Sequence, residues 1–224
     1  MPRPRPLVLI LLVAAALGGL SLLLPGRPGY DQWSWLLWGR ELAHGHLVLE
    51  SGTSWKPLPV VFTTLYAPFG GAAPDLWLAT VRAFGVLALV EAFRVGRRLA
   101  GAGAAGTVGG VVAVTGLALA AHAYEVTVGG SETLQVFLAL LAVDLHLAGR
   151  RRAAFLAGWG VGLLRPEMWP LLGLYGAWLA WREPGTRRLV AGLGLVLLAL
   201  WFGPPWLAAG DPFYGARLAR VYTP

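Results

Sequence analysis

Long apolar runs, separated by short charged or glycine- and proline-rich breaks, make up most of this chain. The first runs from Leu7 to Leu24 without a charge, behind a basic start bearing Pro2, Pro4 and Pro6. Further runs occupy 76–95, 104–121, 133–148, 153–164, 168–181 and 189–207. They carry little of the polar face that a soluble amphipathic helix needs, so each reads as a membrane segment. The pattern therefore predicts an all-α fold, a polytopic helical bundle with about seven membrane segments.

Three of these segments are not settled by hydropathy alone. The run at Leu7 is longer than the apolar core of a secretory signal and has no small-residue cleavage site after it, so it reads as an uncleaved first span with a cytoplasmic N-terminus. Between 153 and 181, arginines flank both ends: Arg150, Arg151 and Arg152 before, and Arg182, Arg187 and Arg188 after. A single span would put these clusters on opposite faces, against the bias of basic residues towards the cytoplasm. Two short segments, 153–164 and 168–181, keep both clusters inside. They place Arg165-Pro166-Glu167 at a turn below the outer surface, in a cavity, where irregular backbone must be shielded by protein or water.

One stretch departs from the apolar rule. From Tyr30 to Pro59 the chain is too polar to span, and it holds Asp31, the sole lysine Lys56, His44, His46 and four tryptophans. After the breaker Pro25-Gly26-Arg27-Pro28-Gly29, Asp31 stands at an N-cap position for a helix reaching to about His44. On a helical net Trp35, Trp38 and Leu42 share a stripe, opposite Arg40, Glu41 and His44, which suits a helix lying in the interface plane. Lys56-Pro57-Leu58-Pro59 makes a rigid turn, and Val60 to Pro68 reads as a second interfacial helix. Residues 30–75 together form an outer-face platform.

Composition sharpens this picture. Of 224 residues, 57% are hydrophobic and 13% charged, against about 25% charged in soluble domains. The net charge of +7 is split among short clusters at the ends of apolar runs, as in cytoplasmic loops, so no nucleic-acid partner is expected. The absence of cysteine excludes disulfides and thiolate metal sites. The acids Asp31, Glu41, Glu50, Asp75, Glu125, Glu132, Glu167 and Asp211 gather on the outer side of this layout, whereas Glu91 and Asp144 fall near inner arginines. The ending carries Arg217 and Arg220 as if opening another loop, so the chain is expected to lack a C-terminal portion.

Tyr30-Asp31 after the first span, interfacial helices in the first outer loop, Lys56-Pro57-Leu58-Pro59, Ser131-Glu132 at the outer start of the fourth span, and Arg165-Pro166-Glu167 between two short segments occur here in a definite order. In that order the chain resembles the GT-C class of membrane glycosyltransferases, and is most similar to the family of protein O-mannosyltransferases and lipid A aminoarabinose transferases. It departs from them at Gln32, where the mannosyltransferases have a glutamate. It departs again at Trp55 and Leu58, where the aminoarabinose transferases have Glu-Lys-Pro-Pro, whose glutamate is implicated in metal binding there. No metal ligand set is assigned, although a divalent cation would suit such chemistry.

The resemblance implies a cell-membrane enzyme with its site on the outer face, moving a sugar from a polyprenyl-phosphate donor to a hydroxyl on a lipid, glycan or protein acceptor with inversion. A lipid phosphate leaves as a stable anion, so one base is sufficient, and Asp31 is the catalytic candidate; as a residue it reads equally as a helix cap. Lys56 and Arg165 are the candidates for the donor phosphate. Otherwise Lys56 is a snorkelling anchor and Arg165 a structural partner of Glu167. Glu132 and Glu167 are supporting candidates, Glu132 with Glu125 at a divalent ion or the sugar, or as a cap of the fourth span. The competing reading is a non-enzymatic membrane protein, either a transporter fragment or an envelope-assembly scaffold subunit.

Overall fold

The computed structural model describes residues 4–49, 52–119, 122–214 and 216–217. Glu50, Arg220 and the last two residues of the expected span 104–121 lie outside them. The described residues are helical or irregular, in the order α1 (Pro4–Leu20), α2 (Tyr30–Ala43), α3 (Pro57–Tyr66), α4 (Ala73–Ala100), α5 (Gly103–Leu119), α6 (His122–Val128), α7 (Glu132–Leu147), α8 (Arg151–Gly162), α9 (Trp169–Arg182) and α10 (Arg187–Ala209). They form two compact units, one of Met1–Pro28 with Asp75–Ala154, the other of Gly29–Pro74 with Phe155–Pro224.

The expectation of seven membrane segments is corrected. Among the described residues two helices are long and apolar enough to cross a membrane, Pro57–Ala100 and Pro184–Ala209, or three if α5 and α6, bent by 56°, act as one. The reason is length. At about 1.5 Å per residue a hydrocarbon core of about 30 Å needs some 20 helical residues. α1 has 17, α7 16, α8 12 and α9 14. The apolar runs at 7–24, 133–148, 153–164 and 168–181 are thus helices, but short ones. The run 76–95 belongs to the helix that extends to Ala100, and 189–207 to the one ending at Ala209.

In the first unit small residues let helices approach closely. A methyl on Gly96 of α4 would sit 2.5 Å from the Gly109 carbonyl oxygen of α5. Trp77, fully buried, donates its indole N–H to the Gly129 carbonyl at 3.0 Å. Phe84 of α4 and Phe137 of α7 pack with their rings tilted by 50° and centroids 5.3 Å apart. The buried Arg82 donates to the Ser21 carbonyl at 2.7 Å, holding the end of the first helical stretch.

The second unit contains the platform. α2 is capped by Gly29, whose extended backbone (φ −75°, ψ −174°) starts the helix, so the N-cap assignment of Asp31 is corrected: Asp31 is already helical, in the first turn. Its charge there, and that of Arg40 in the last turn, both complement the helix dipole. The expected stripe is present, with Trp35 and Trp38 buried and Arg40 and His44 exposed. α2 lies against α3 through Gly39, and the Thr63 hydroxyl donates to the Trp35 carbonyl at 2.6 Å. α8 meets α10 through the Trp159 indole N–H, which donates to the Leu193 carbonyl at 2.8 Å.

Candidate functional site

Two dipeptides of the second unit have the same local construction. Lys56 precedes Pro57 and Arg165 precedes Pro166, and a residue before proline is driven out of the helical region. Lys56 accordingly adopts φ −134°, ψ 111° and Arg165 φ −142°, ψ 108°, and each stands immediately before a helical start. Pro57 and Pro59 remove two amide donors from the first turn of α3. The Leu58 amide between them donates to the Leu163 carbonyl at 3.4 Å. Positive charge at this point must therefore come from side chains rather than from a helix N-terminus.

Lys56 and Arg165 line one cavity of about 620 Å³, together with Glu167. The remaining wall is largely aromatic, with Trp55, Trp169, Trp201, Phe202 and Phe213. The tryptophans are fixed by their indole N–H groups. Trp169 and Trp201 both donate to the Gly162 carbonyl, at 3.0 and 2.9 Å, and Trp55 donates to the Leu200 carbonyl at 3.0 Å. Trp169 packs edge-on to Trp201 and Phe202, and Phe202 to Phe213. With its donors already engaged, this wall offers ring faces and edges, which suit hydrocarbon.

The Lys56 ammonium lies 5.0 Å from the centre of the Trp35 ring, a cation–π contact that orders it, and the residue is buried. Arg165 is half-buried and Glu167 exposed. Two cations and one carboxylate give the lining a net positive charge inside an apolar wall.

Asp31 does not line this cavity. It stands one turn before Trp35 on α2, half-buried, with no hydrogen bond or ion pair among the described residues. Glu132 belongs to the first unit, at the start of α7. There it lies beside Glu125, since a methyl on Gly130 would meet the carboxylate oxygens of both, 2.8 Å from that of Glu132. Among the described residues no three of His, Asp or Glu stand together as a metal site.

Sequence reasoning missed the aromatic wall. Trp169, Trp201, Phe202 and Phe213 lie on three separate stretches, and no spacing between them announces a shared surface. It also missed Trp35 as the ring beneath Lys56, though both residues had been placed on the platform.

No protein-family model matches the chain, no curated protein matches it, and no solved structure matches it.

Proposed function

We propose that the protein is a membrane glycosyltransferase, moving a sugar from a polyprenyl-phosphate donor to a hydroxyl acceptor on the outer face of the cell membrane, with inversion. The observation that carries this reading is the cavity in which Lys56 and Arg165 interrupt an aromatic wall. A polyprenyl phosphate has that same split character, an isoprenoid chain ending in an anion. The chain lies against Trp169, Trp201 and Phe202, and the phosphate between the ammonium of Lys56 and the guanidinium of Arg165. The two cations also stabilise the phosphate as it leaves. Asp31 takes the acceptor proton: among the described residues its carboxylate makes no hydrogen bond or ion pair, and it stands one turn from the ring that positions Lys56. Glu167 orients the sugar or holds Arg165. Glu132 belongs to the other unit and is given no step here, and no step assigned here draws on a divalent cation.

Lys56→Ala tests the donor site. Loss of a charge-assisted contact to phosphate weakens donor binding by about tenfold to a hundredfold, seen as a raised KM for the polyprenyl-phosphate sugar with the acceptor KM unchanged. Equal donor affinity in the variant, with helicity intact, removes Lys56 from the site and the cavity from the proposal.

The orientation follows from the basic ends of the two long apolar helices. Arg97 and Arg98 close one and Arg187 and Arg188 open the other, so both ends are cytoplasmic by the charge rule. Single cysteines placed in this cysteine-free chain at 98 and 187 stay unlabelled by an impermeant maleimide on intact cells, whereas one at 212 is labelled. Labelling at 187 from outside reverses the orientation and puts the cavity on the wrong face for a lipid-linked donor.

A further inference from the structure

The end of α4 forms a second cleft, within the first unit and remote in sequence from Lys56 and Arg165. It measures about 560 Å³ and is lined by Arg94, Arg97, Arg98, Leu99, Gly101 and Leu147, among others. Arg94 bonds Glu91 at 3.0 Å and Asp144 at 3.4 Å, and Arg98 bonds Asp144 at 2.5 Å. Glu91 and Asp144 are both buried, so these two guanidinium groups are tethered. Arg97 is exposed and makes no ion pair among the described residues. Three cations facing two carboxylates leave one positive charge, carried by Arg97 and open to an outside anion. Gly101 and Gly103, at φ 96° and 69°, then turn the chain into α5.

We propose that this cleft binds the phosphate of an anionic phospholipid. The depth fits: α4 has 28 residues, about 20 of which cross a hydrocarbon core of about 30 Å, so with α4 in the membrane Arg97 and Arg98 in its last turn reach headgroup level. The lip fits as well, since Leu99 is 70% exposed and Leu147 45%, apolar surface that acyl chains cover and a free phosphate would not. Basic pockets at the cytoplasmic ends of membrane helices recognise lipid headgroups by this combination of charge and depth. The inference stands apart from the transfer reaction and needs only that α4 lies in the membrane.

The test uses the full chain in detergent, titrated with phosphatidylglycerol, with phosphatidylcholine of the same acyl chains, and with inorganic phosphate, read by the shift in thermal unfolding and by native mass spectrometry. Phosphatidylglycerol is expected to bind at least about tenfold more tightly than phosphatidylcholine, and Arg97→Gln to weaken it about fivefold, the effect of one basic contact. Arg97 makes no ion pair among the described residues, so the variant is expected to fold as the parent does, which its helicity checks. Equal binding of the two lipids overturns the proposal, as does phosphatidylglycerol binding that Arg97→Gln leaves unchanged. Inorganic phosphate displacing phosphatidylglycerol at similar concentration overturns the lipid assignment and makes the cleft a site for a soluble phosphate.

Discussion

Asp31→Asn leaves the protein folded and lowers sugar transfer by about two to four orders of magnitude, the usual contribution of a positioned general base. The carboxylate makes no hydrogen bond or ion pair among the described residues, and the cap of α2 is Gly29. Its removal therefore breaks no internal contact. What is lost structurally is one favourable charge at a helix start, about 0.3–1 kcal/mol. The amide is nearly the size of the carboxylate, so a large kinetic effect with an unfolding midpoint lowered by no more than about 4 °C assigns the loss to proton transfer. The assay is transfer from a polyprenyl-phosphate sugar in liposomes, with Glu167→Gln run beside it. Glu167→Gln, which keeps an acceptor oxygen for the sugar or for Arg165, is expected to lose no more than about tenfold. The opposite outcome, with Asp31→Asn active and Glu167→Gln inactive, moves the base to the carboxylate that lines the cavity.

Gly39→Ala is expected to damage the packing of α2 on α3. A methyl there would stand 2.5 Å from the Thr63 carbonyl carbon and 2.6 Å from the Thr64 nitrogen, besides meeting the Thr63 hydroxyl. These are mainly backbone atoms, which cannot rotate aside, so α2 and α3 must separate. Overpacking of this kind costs about 1–3 kcal/mol. It also pulls on the 2.6 Å bond from the Thr63 hydroxyl to the Trp35 carbonyl, and so on the ring under Lys56. Thermal unfolding in detergent should show the loss, with weaker donor binding alongside. Gly192→Ala is the control: it lies inside α10 with open space around the added methyl, and alanine is the better helix former by about 1 kcal/mol. If both variants unfold at the parent's temperature, the close approach of α2 and α3 does not govern stability.

The sequence pattern marks helices well and their lengths poorly. Pro25 to Gly29, Lys56-Pro57 and Arg165-Pro166 were legible as breaks because proline and glycine act locally, and the helices begin where those residues allow. Hydropathy does not carry length in the same way. The run 153–164 is apolar to its end, yet α8 stops at Gly162 and the chain has turned by Arg165. Such a run fills a core or a bilayer equally well, and only its helical length separates the two. Asp31 as a cap failed for a related reason: several residues before α2 could have ended the extended segment, and Gly29 does so. That Lys56, Arg165 and Glu167 face one cavity while Asp31 lies outside its lining is decided by packing among distant stretches. The aromatic wall at 169, 201, 202 and 213 has the same origin.

The prolines that follow Lys56 and Arg165 act before the chain has folded. Proline narrows the choices of the residue ahead of it in the unfolded ensemble as well as in the native one. Each cation thus enters folding with its backbone already biased to the extended form it keeps in the cavity. The disorder that would otherwise have to be removed at those two points is small. The ordering that an incoming anion must still impose falls mainly on the two side-chain tips.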